Sequence, residues 1–107
     1  MDDYVHFVYF LTKNFPREEI YSTTSQLRRA ALSVILNYIE GFARKRPSVK
    51  YNFWEISYGS LKESNYLIEF CYKEKYIKID DFKMASSMAD EIGAMLWRGL
   101  KSIKIEK

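Results

Sequence analysis

The sequence predicts an all-α protein, a single domain over residues 1–107 that folds as an antiparallel up-and-down four-helix bundle. Its 107 residues suit one domain with a core of its own. Only 4 Gly and 2 Pro punctuate the chain, which is too few for the frequent turns of a β-sandwich or barrel. Apolar residues recur at helical spacing in four segments separated by short breaks, and helices with short connections pack antiparallel.

The first two helices are separated by a proline. We expect the first helix over residues 3–14, whose side chains are apolar nearly all round. Pro16 cannot donate a backbone hydrogen bond, so the chain bends there. We expect the second helix over residues 23–44, where Thr23 and Gln26 have the spacing of a capping box.

The third and fourth helices each follow a further break in the pattern. Ser48 is the expected N-cap of a third helix over residues 48–73. The fourth helix is expected over residues 81–101, with Asp80 or Asp81 as its N-cap. The apolar side chains of this last helix fall on one face, which is typical of an ordinary amphipathic bundle helix.

The second and third helices are apolar over a wider arc than one bundle can bury. A bundle helix buries one stripe, about 100–160° of its circumference. Aromatic residues reach 17% of the chain, and much of that excess lies on these two helices outside any such stripe. Because large exposed apolar patches mark interaction surfaces, we expect a homo-oligomer interface on them.

The rarity of histidine and cysteine excludes several chemistries. With His6 and Cys71 as its one histidine and one cysteine, a subunit cannot assemble a zinc cluster or a disulfide framework. We therefore expect no enzyme activity, catalytic residue, metal, cofactor or small-molecule substrate. The sequence shows no run of about 18 uncharged apolar residues and no signal-peptide pattern, so we expect a cytoplasmic protein without membrane contact.

A polar stripe runs along the second helix, and polar residues interrupt the apolar arc of the third, where two of them are assigned to the same network. The two sets comprise Arg29, Ser33, Asn37, Glu40, Ser60 and Glu63. We interpret them as a structural polar network that locks the two helices together or against a neighbouring subunit. A ligand or RNA surface is the alternative. Because an unpaired buried carboxylate is unfavourable, Glu63 is expected to pair with Arg28 or Arg29.

Cations cluster around the connection between the second and third helices. The expected nucleic-acid-binding residues are Arg28, Arg44, Lys45, Arg46, Lys50 and Tyr51. Such a cluster, repeated in an oligomer, can hold a phosphate backbone by counterion release, and Tyr51 and Trp54 can stack on unpaired bases. A merely solvated charged face is the alternative. A second basic patch near the end of the chain comprises Arg98, Lys101, Lys104 and Lys107.

Several short motifs in the middle of the chain resemble those of one bacterial family. They read FPREE at residues 15–19, QLRRAALSV at 26–34, NYIEG at 37–41 and GSLKE at 59–63. In order and spacing they are similar to the four-helix-bundle proteins encoded in intervening sequences of 23S ribosomal RNA genes. That family is related to the accessory variability determinant of diversity-generating retroelements. Tyr-Ile at residues 38–39 replaces the usual Ile-Ala.

The resemblance implies a homopentameric barrel of bundles with a basic surface. In the retroelement relatives, such a pentamer binds nucleic acid and the reverse transcriptase. Residues and resemblance together predict a non-enzymatic homo-oligomer, a homopentamer, that binds RNA or DNA without sequence specificity. The alternative is a protein-interaction scaffold that recruits a partner such as a reverse transcriptase.

Overall fold

Four helices make up almost all of the described chain. The computed structural model describes residues 1–104, with the side chains of residues 19–21 outside the description. The helices are α1 (Asp2–Thr12), α2 (Ser25–Phe42), α3 (Pro47–Lys73) and α4 (Ile79–Ser102). No strand occurs among the described residues. The predicted all-α four-helix bundle is confirmed.

The contacts between α2 and α3 show in which direction each helix runs. The Ser57 hydroxyl donates to the Val34 carbonyl oxygen at 2.6 Å. One turn further along α3, Ser60 hydrogen-bonds to Ser33 at 2.8 Å between the two hydroxyl oxygens. Advancing on α3 therefore means going back on α2, as in an antiparallel helix pair.

The contacts of α3 with α4 have the same antiparallel order. The Trp54 ring lies against Gly99, whereas the Tyr72 and Phe82 rings stack at 4.6 Å between centroids. The beginning of α3 and the end of α4 therefore lie together, and they meet the end of α2. We call this part of the molecule the basic end, for reasons given below.

Helix α1 occupies the opposite part of the bundle, which we call the α1 end. With 11 residues, α1 is about 16 Å long, whereas α3 with 27 residues is about 40 Å long. The Tyr4 hydroxyl hydrogen-bonds to Ser64 at 2.7 Å, and Thr12 contacts Arg28 near the start of α2. Because α1 is short, it covers only this part of the bundle.

The start of α2 differs from the prediction. A 3₁₀ turn over Arg17–Glu19 and a π-helical turn over Ile20–Thr24 lead directly into α2. Its N-cap is Thr24, which has helical backbone angles and makes no side-chain capping bond. The predicted capping box of Thr23 and Gln26 is wrong, because the chain is already helical before Ser25 and leaves no free first turn to cap.

The first residues of α3 and α4 also differ from the predicted caps. Arg46, not Ser48, is the N-cap of α3, because Pro47 takes the first helical position, where its missing N–H does no harm. Lys78 is the N-cap of α4. The two aspartates at 80–81 lie in the first turn instead, where negative charge stabilises the positive end of the helix dipole.

Candidate nucleic-acid interface

Trp54 fills the core at the basic end. Its indole is 9% exposed, stacks on the Tyr38 ring at 5.3 Å between centroids and donates from Nε1 to the Tyr38 carbonyl oxygen at 3.1 Å. A Cβ added at Gly41 or Gly99 would lie 2.5 Å or 2.9 Å from the indole. Two glycines, one on α2 and one on α4, therefore let three helices close on one tryptophan.

Both basic patches of the sequence belong to this one end of the molecule. The connection from α2 to α3 and the last turns of α4 supply Arg44, Lys45, Arg46, Lys50, Arg98, Lys101 and Lys104. The link between the patches is a cavity lined jointly by Tyr51 of α3 and Lys101 of α4. These seven cations give the basic end its name. Lys107 lies outside the described residues.

Aromatic rings hold two of these cations in place. Arg44 forms an ion pair with Glu40 and lies 5.4 Å above the Phe53 ring centroid. The Lys50 ammonium lies 5.6 Å from the Trp54 ring centroid. Cation–π contacts of this kind fix a long side chain while leaving its charge available.

The remaining two cations of the connection face solvent. Lys45 and Arg46 are exposed, and neither forms an ion pair with any acidic side chain that the structure describes. With Arg44 and Val49 they line a surface concavity of about 280 Å³. An open concavity lined by two guanidinium groups and one ammonium group suits an anionic group such as a phosphate.

Arg28 lies apart from the other predicted nucleic-acid-binding residues. Its Nε donates to the Thr12 hydroxyl at 2.7 Å, and its guanidinium lies 4.6 Å from the Tyr9 ring centroid. Along α2, about 20 Å of helix separates Arg28 from the connection to α3. The structure places Arg28 at the α1 end, where it joins α2 to α1.

The two aromatic residues expected to stack on bases differ in their surroundings. Trp54 is buried between helices, so the expectation that it stacks on an unpaired base is wrong. The apolar arcs of α3 are so wide that helical periodicity did not distinguish its core face from its outer face. Tyr51 is half-buried and lines a cavity of about 320 Å³ between α3 and α4.

The predicted polar residues of α2 and α3 meet along the groove between these helices. Besides bonding to Ser60, Ser33 accepts a hydrogen bond from the Asn37 amide at 2.8 Å, and the same amide donates to the Ser33 carbonyl oxygen at 2.9 Å. Arg29 and Glu63 line one small cavity of this groove, of about 130 Å³. Glu40 is turned toward Arg44 instead.

Glu63 is exposed. Its carboxylate therefore stays in contact with water and is not desolvated, contrary to what its place in the apolar arc of the third helix suggested. No ion pair joins Glu63 to Arg28 or Arg29 among the described residues, and the expected pairing is wrong within one subunit. The reason is that Glu63 lines the groove between α2 and α3, whereas the Arg28 side chain is directed toward α1.

Large apolar side chains cover the outer surface of α2 and α3. Those at least half exposed on these helices are Leu36, Ile39, Phe42, Ile56 and Tyr66. We call this surface the outer face. It carries the apolar surplus that the sequence predicted for these two helices, and the described part of the chain leaves these side chains at least half exposed. Exposed patches of this kind are interaction surfaces in soluble proteins.

Two described groups with a shifted pKa, Tyr4 and Lys73, do not share a site. Burial raises the pKa of Tyr4 to about 12, opposed by its hydrogen bond with Ser64. The hydrogen bond and charge of Glu69 raise the pKa of Lys73. Among the side chains that the structure describes, no group of three His, Cys, Asp or Glu residues is placed to hold a metal ion. The described helices include none with the length and apolarity needed to cross a membrane.

The sequence reasoning missed one feature, a groove between α3 and α4. It contains Trp97, which is 53% exposed, and Asn65, whose side-chain oxygen is buried without a hydrogen-bond donor. The sequence does contain a signal for this groove, a tryptophan that lies outside the core face of α4. That face comprises Phe82, Ala85, Ala89, Ile92 and Leu96.

The fold and sequence are similar to those of known proteins. A protein of unknown function from the S23 ribosomal protein family of Bacteroides thetaiotaomicron VPI-5482 has a crystal structure with a TM-score of 0.80 and 19% identity, over 94% of this chain and 90% of that chain. At that identity the likeness shows the fold alone. No curated protein matches the chain significantly. The profile of 23S rRNA-intervening sequence proteins matches residues 2–98, and the chain therefore belongs to that family.

Proposed function

We propose that this protein is a non-enzymatic nucleic-acid-binding protein that holds RNA or DNA through its basic end, without sequence specificity. One observation carries the proposal: the connection from α2 to α3 and the end of α4, which are distant in sequence, bring seven cations together at one end of the molecule. Lys45 and Arg46 are exposed there without acidic partners among the described residues. Free cations of this kind neutralise phosphates and release counterions.

The same geometry argues against readout of base sequence. The cations lie on a short connection and at helix ends, and no helix presents a row of them that would lie in a groove of a duplex. Phosphate contacts position a nucleic acid but carry no sequence information. The family's name refers to 23S rRNA, so a fragment of that RNA is the first ligand to test.

The salt dependence of binding tests this proposal. Affinity for a labelled single-stranded fragment of 23S rRNA should fall steeply between about 50 and 200 mM salt, with a slope of about −0.7 per phosphate neutralised. The double variant Lys45→Gln/Arg46→Gln should reduce that slope by about 2. A matched control removes two exposed cations elsewhere, Lys13→Gln/Lys83→Gln, and should leave the slope unchanged. Absence of binding at 50 mM salt would contradict the proposal.

We also propose that the outer face joins copies of this chain into a homo-oligomer, with the homopentamer implied by the family resemblance as the expected state. The exposed apolar side chains of α2 and α3 support this. An oligomer also repeats the basic end, which multiplies the contacts available to one nucleic acid strand.

Sedimentation equilibrium tests the assembly. Leu36→Glu, at a position 55% exposed on α2, should lower the mass toward the monomer. The control Met84→Glu changes an equally exposed apolar residue of α4, at 53%, and should leave the mass unchanged. A monomeric unaltered chain would favour the second candidate, a scaffold whose outer face recruits a different protein such as a reverse transcriptase.

A further inference from the structure

The outer face and a groove between α3 and α4 have complementary shapes. The groove consists of two adjoining cavities of about 360 Å³ and 320 Å³, which share Tyr58 and Trp97. We call it the Trp97 groove, because the Trp97 side chain is 53% exposed there. On the outer face, Leu36 is 55% exposed and Ile56 is 50% exposed. Exposed side chains of this kind form ridges on a helix surface, and ridges pack into grooves.

The two surfaces lie on different sides of the subunit. The outer face is formed by α2 and α3, whereas the Trp97 groove lies between α3 and α4. Contact between two different surfaces of identical subunits is a heterologous interface, and it builds a ring when the rotation from one copy to the next closes. A cyclic oligomer such as the proposed homopentamer needs two surfaces of this kind on every copy.

The apolar residues of the two surfaces lie at the same height along the bundle. The ring of Trp97 contacts that of Tyr58, with centroids 6.1 Å apart, and Ile56 lies two residues before Tyr58 in α3. The Ser57 hydroxyl bonds to α2 two residues before Leu36, which is about 3 Å of helix. Rotation about an axis parallel to the helices preserves height, so it brings Leu36 and Ile56 of one copy level with Trp97 of the next.

The charges beside these apolar residues are opposite in sign on the two surfaces. Arg29 and Glu63 line the small cavity between α2 and α3, and Lys62 and Asp90 line the Trp97 groove. All four side chains are exposed, and none forms an ion pair among the side chains that the structure describes. Glu63 and Lys62 are adjacent in α3 and have nearly the same height, so a neighbouring copy brings these opposite charges together.

Arg29 and Asp90 also share one height. A Cβ at Gly93 would lie 3.4 Å from the Leu61 side chain, and Asp90 is three residues before Gly93, about 4.5 Å further toward the α1 end. Arg29 is four residues before the α2 residue that bonds to Ser60, about 6 Å further in the same direction. Both charges therefore lie level with the same turn of α3, one on each side of the subunit.

We propose that the outer face of one copy binds in the Trp97 groove of the next copy. The contacts across this interface are Leu36 on Trp97, Arg29 with Asp90, and Glu63 with Lys62. Both surfaces combine cations with carboxylates, which disfavours a phosphate backbone as the partner, whereas a second copy supplies the matching charges for both. The inference rests on the proposed homo-oligomer and adds which two surfaces of the chain form it.

Charge reversal tests the interface by sedimentation equilibrium. Asp90→Arg places two cations opposite each other and should weaken association about tenfold or more. The matched control Glu91→Arg changes the net charge equally at the next exposed residue, which does not line the groove, and should leave the mass unchanged. The double variant Arg29→Asp/Asp90→Arg restores opposite charges and should recover association. Because residues 29 and 90 lie on different sides of one subunit, such recovery requires a contact between subunits.

Trp97 provides a second readout of the same contact. Since Trp54 is buried within the subunit, dilution through the dissociation range should move the fluorescence emission to longer wavelength as the Trp97 indole meets water. Trp97→Ala should abolish this shift and weaken association about tenfold or more. The thermal midpoint of the dissociated subunit should stay unchanged, because an exposed side chain contributes little to folding.

The outcomes distinguish this inference from the proposed homo-oligomer. If Leu36→Glu lowers the mass but Asp90→Arg and Trp97→Ala do not, the outer face binds a different surface; the inference is then wrong and the proposed homo-oligomer stands. A monomeric unaltered chain would overturn both. If Asp90→Arg weakens association and the double variant with Arg29→Asp does not recover it, the pairing of Arg29 with Asp90 is wrong.

Discussion

The two ends of this bundle use their polar groups in opposite ways. At the α1 end, polar side chains are paired inside the subunit: Tyr4 with Ser64, and Arg28 with Thr12 and the Tyr9 ring. At the basic end, the interior is aromatic and centred on Trp54, while the cations lie outside. The α1 end uses its side-chain hydrogen bonds to join α1 to α2 and α3, whereas the basic end leaves exposed cations such as Lys45 and Arg46 available.

The difference indicates where the protein can bind a partner. A cation held by partners in its own chain, as Arg28 is, would lose those contacts on binding a phosphate, so little is gained. Cations fixed by aromatic rings, such as Lys50, keep their charge available to a ligand. The presence of a charge in the sequence is therefore a weaker sign of function than the absence of an internal partner for it.

Removal of Trp54 should produce the largest effect at the basic end. Because this indole fills the space between α2, α3 and α4, Trp54→Ala should reduce the free energy of unfolding by about 3–5 kcal/mol. Urea unfolding followed by circular dichroism measures the change. Trp97→Ala, at the exposed tryptophan, is the control and should change stability by less than about 1 kcal/mol. Equal losses for the two variants would mean that Trp54 does not hold this end together.

Tyr4 should make the α1 end sensitive to alkaline pH. Its pKa is about 12 in the folded protein and 10.0 without burial. Folding therefore favours the neutral phenol, and this contribution is complete below pH 10 and is lost as the pH rises through 12. Two pKa units correspond to roughly 2–3 kcal/mol.

The variant Tyr4→Phe isolates that contribution from the titration of the other tyrosines. Unfolding free energies of both proteins are measured from pH 8 to 12. We expect Tyr4→Phe to be less stable at pH 8 by about 1 kcal/mol, because the bond to Ser64 is lost. Above pH 10 the unaltered protein should lose stability faster than the variant. Parallel curves would show that Tyr4 ionises freely in the fold.

The glycine beside Trp54 offers a smaller perturbation of the basic end. A Cβ at Gly41 would overlap the indole at 2.5 Å, so Gly41→Ala should cost about 1–3 kcal/mol through overpacking, partly offset by the better helix propensity of alanine. Gly59 is the matched control, since nothing lies within 4 Å of its Cβ position. Gly59→Ala should stabilise the helix by up to about 1 kcal/mol. Thermal midpoints that shift in the same direction for both would contradict this account of Trp54.

The helices were predictable from sequence because each carries a long periodic apolar pattern. Bounds of α3 and α4 differ from the prediction by one or two residues, since Pro47 and Lys78 set the first turns by backbone geometry. The start of α2 was less accessible. A π-helical turn over Ile20–Thr24 has no distinct side-chain pattern, so the sequence does not mark the residue at which α-helical geometry begins.

The candidate site was harder to predict than the fold. Helical spacing gives the angle of a side chain around its helix but not its height relative to a neighbouring helix, so Arg28 was grouped with cations that lie at the far end. Trp54 was misplaced because both arcs of α3 are apolar. The two clusters of cations were visible in the sequence, but only the antiparallel register of α3 and α4 unites them.

Replacing one arginine at each end with glutamine gives the smallest predicted effect and compares the two ends most directly. Arg28→Gln removes the bond to Thr12 and should lower the free energy of unfolding by about 1 kcal/mol, with the salt slope of RNA binding unchanged. Arg46→Gln should change stability by less than about 0.5 kcal/mol and reduce that slope by about 1. Urea unfolding and fluorescence anisotropy of labelled RNA provide the two readouts. The reverse pattern would place the binding surface at the α1 end, because a structural arginine and a phosphate-binding arginine affect different measurements.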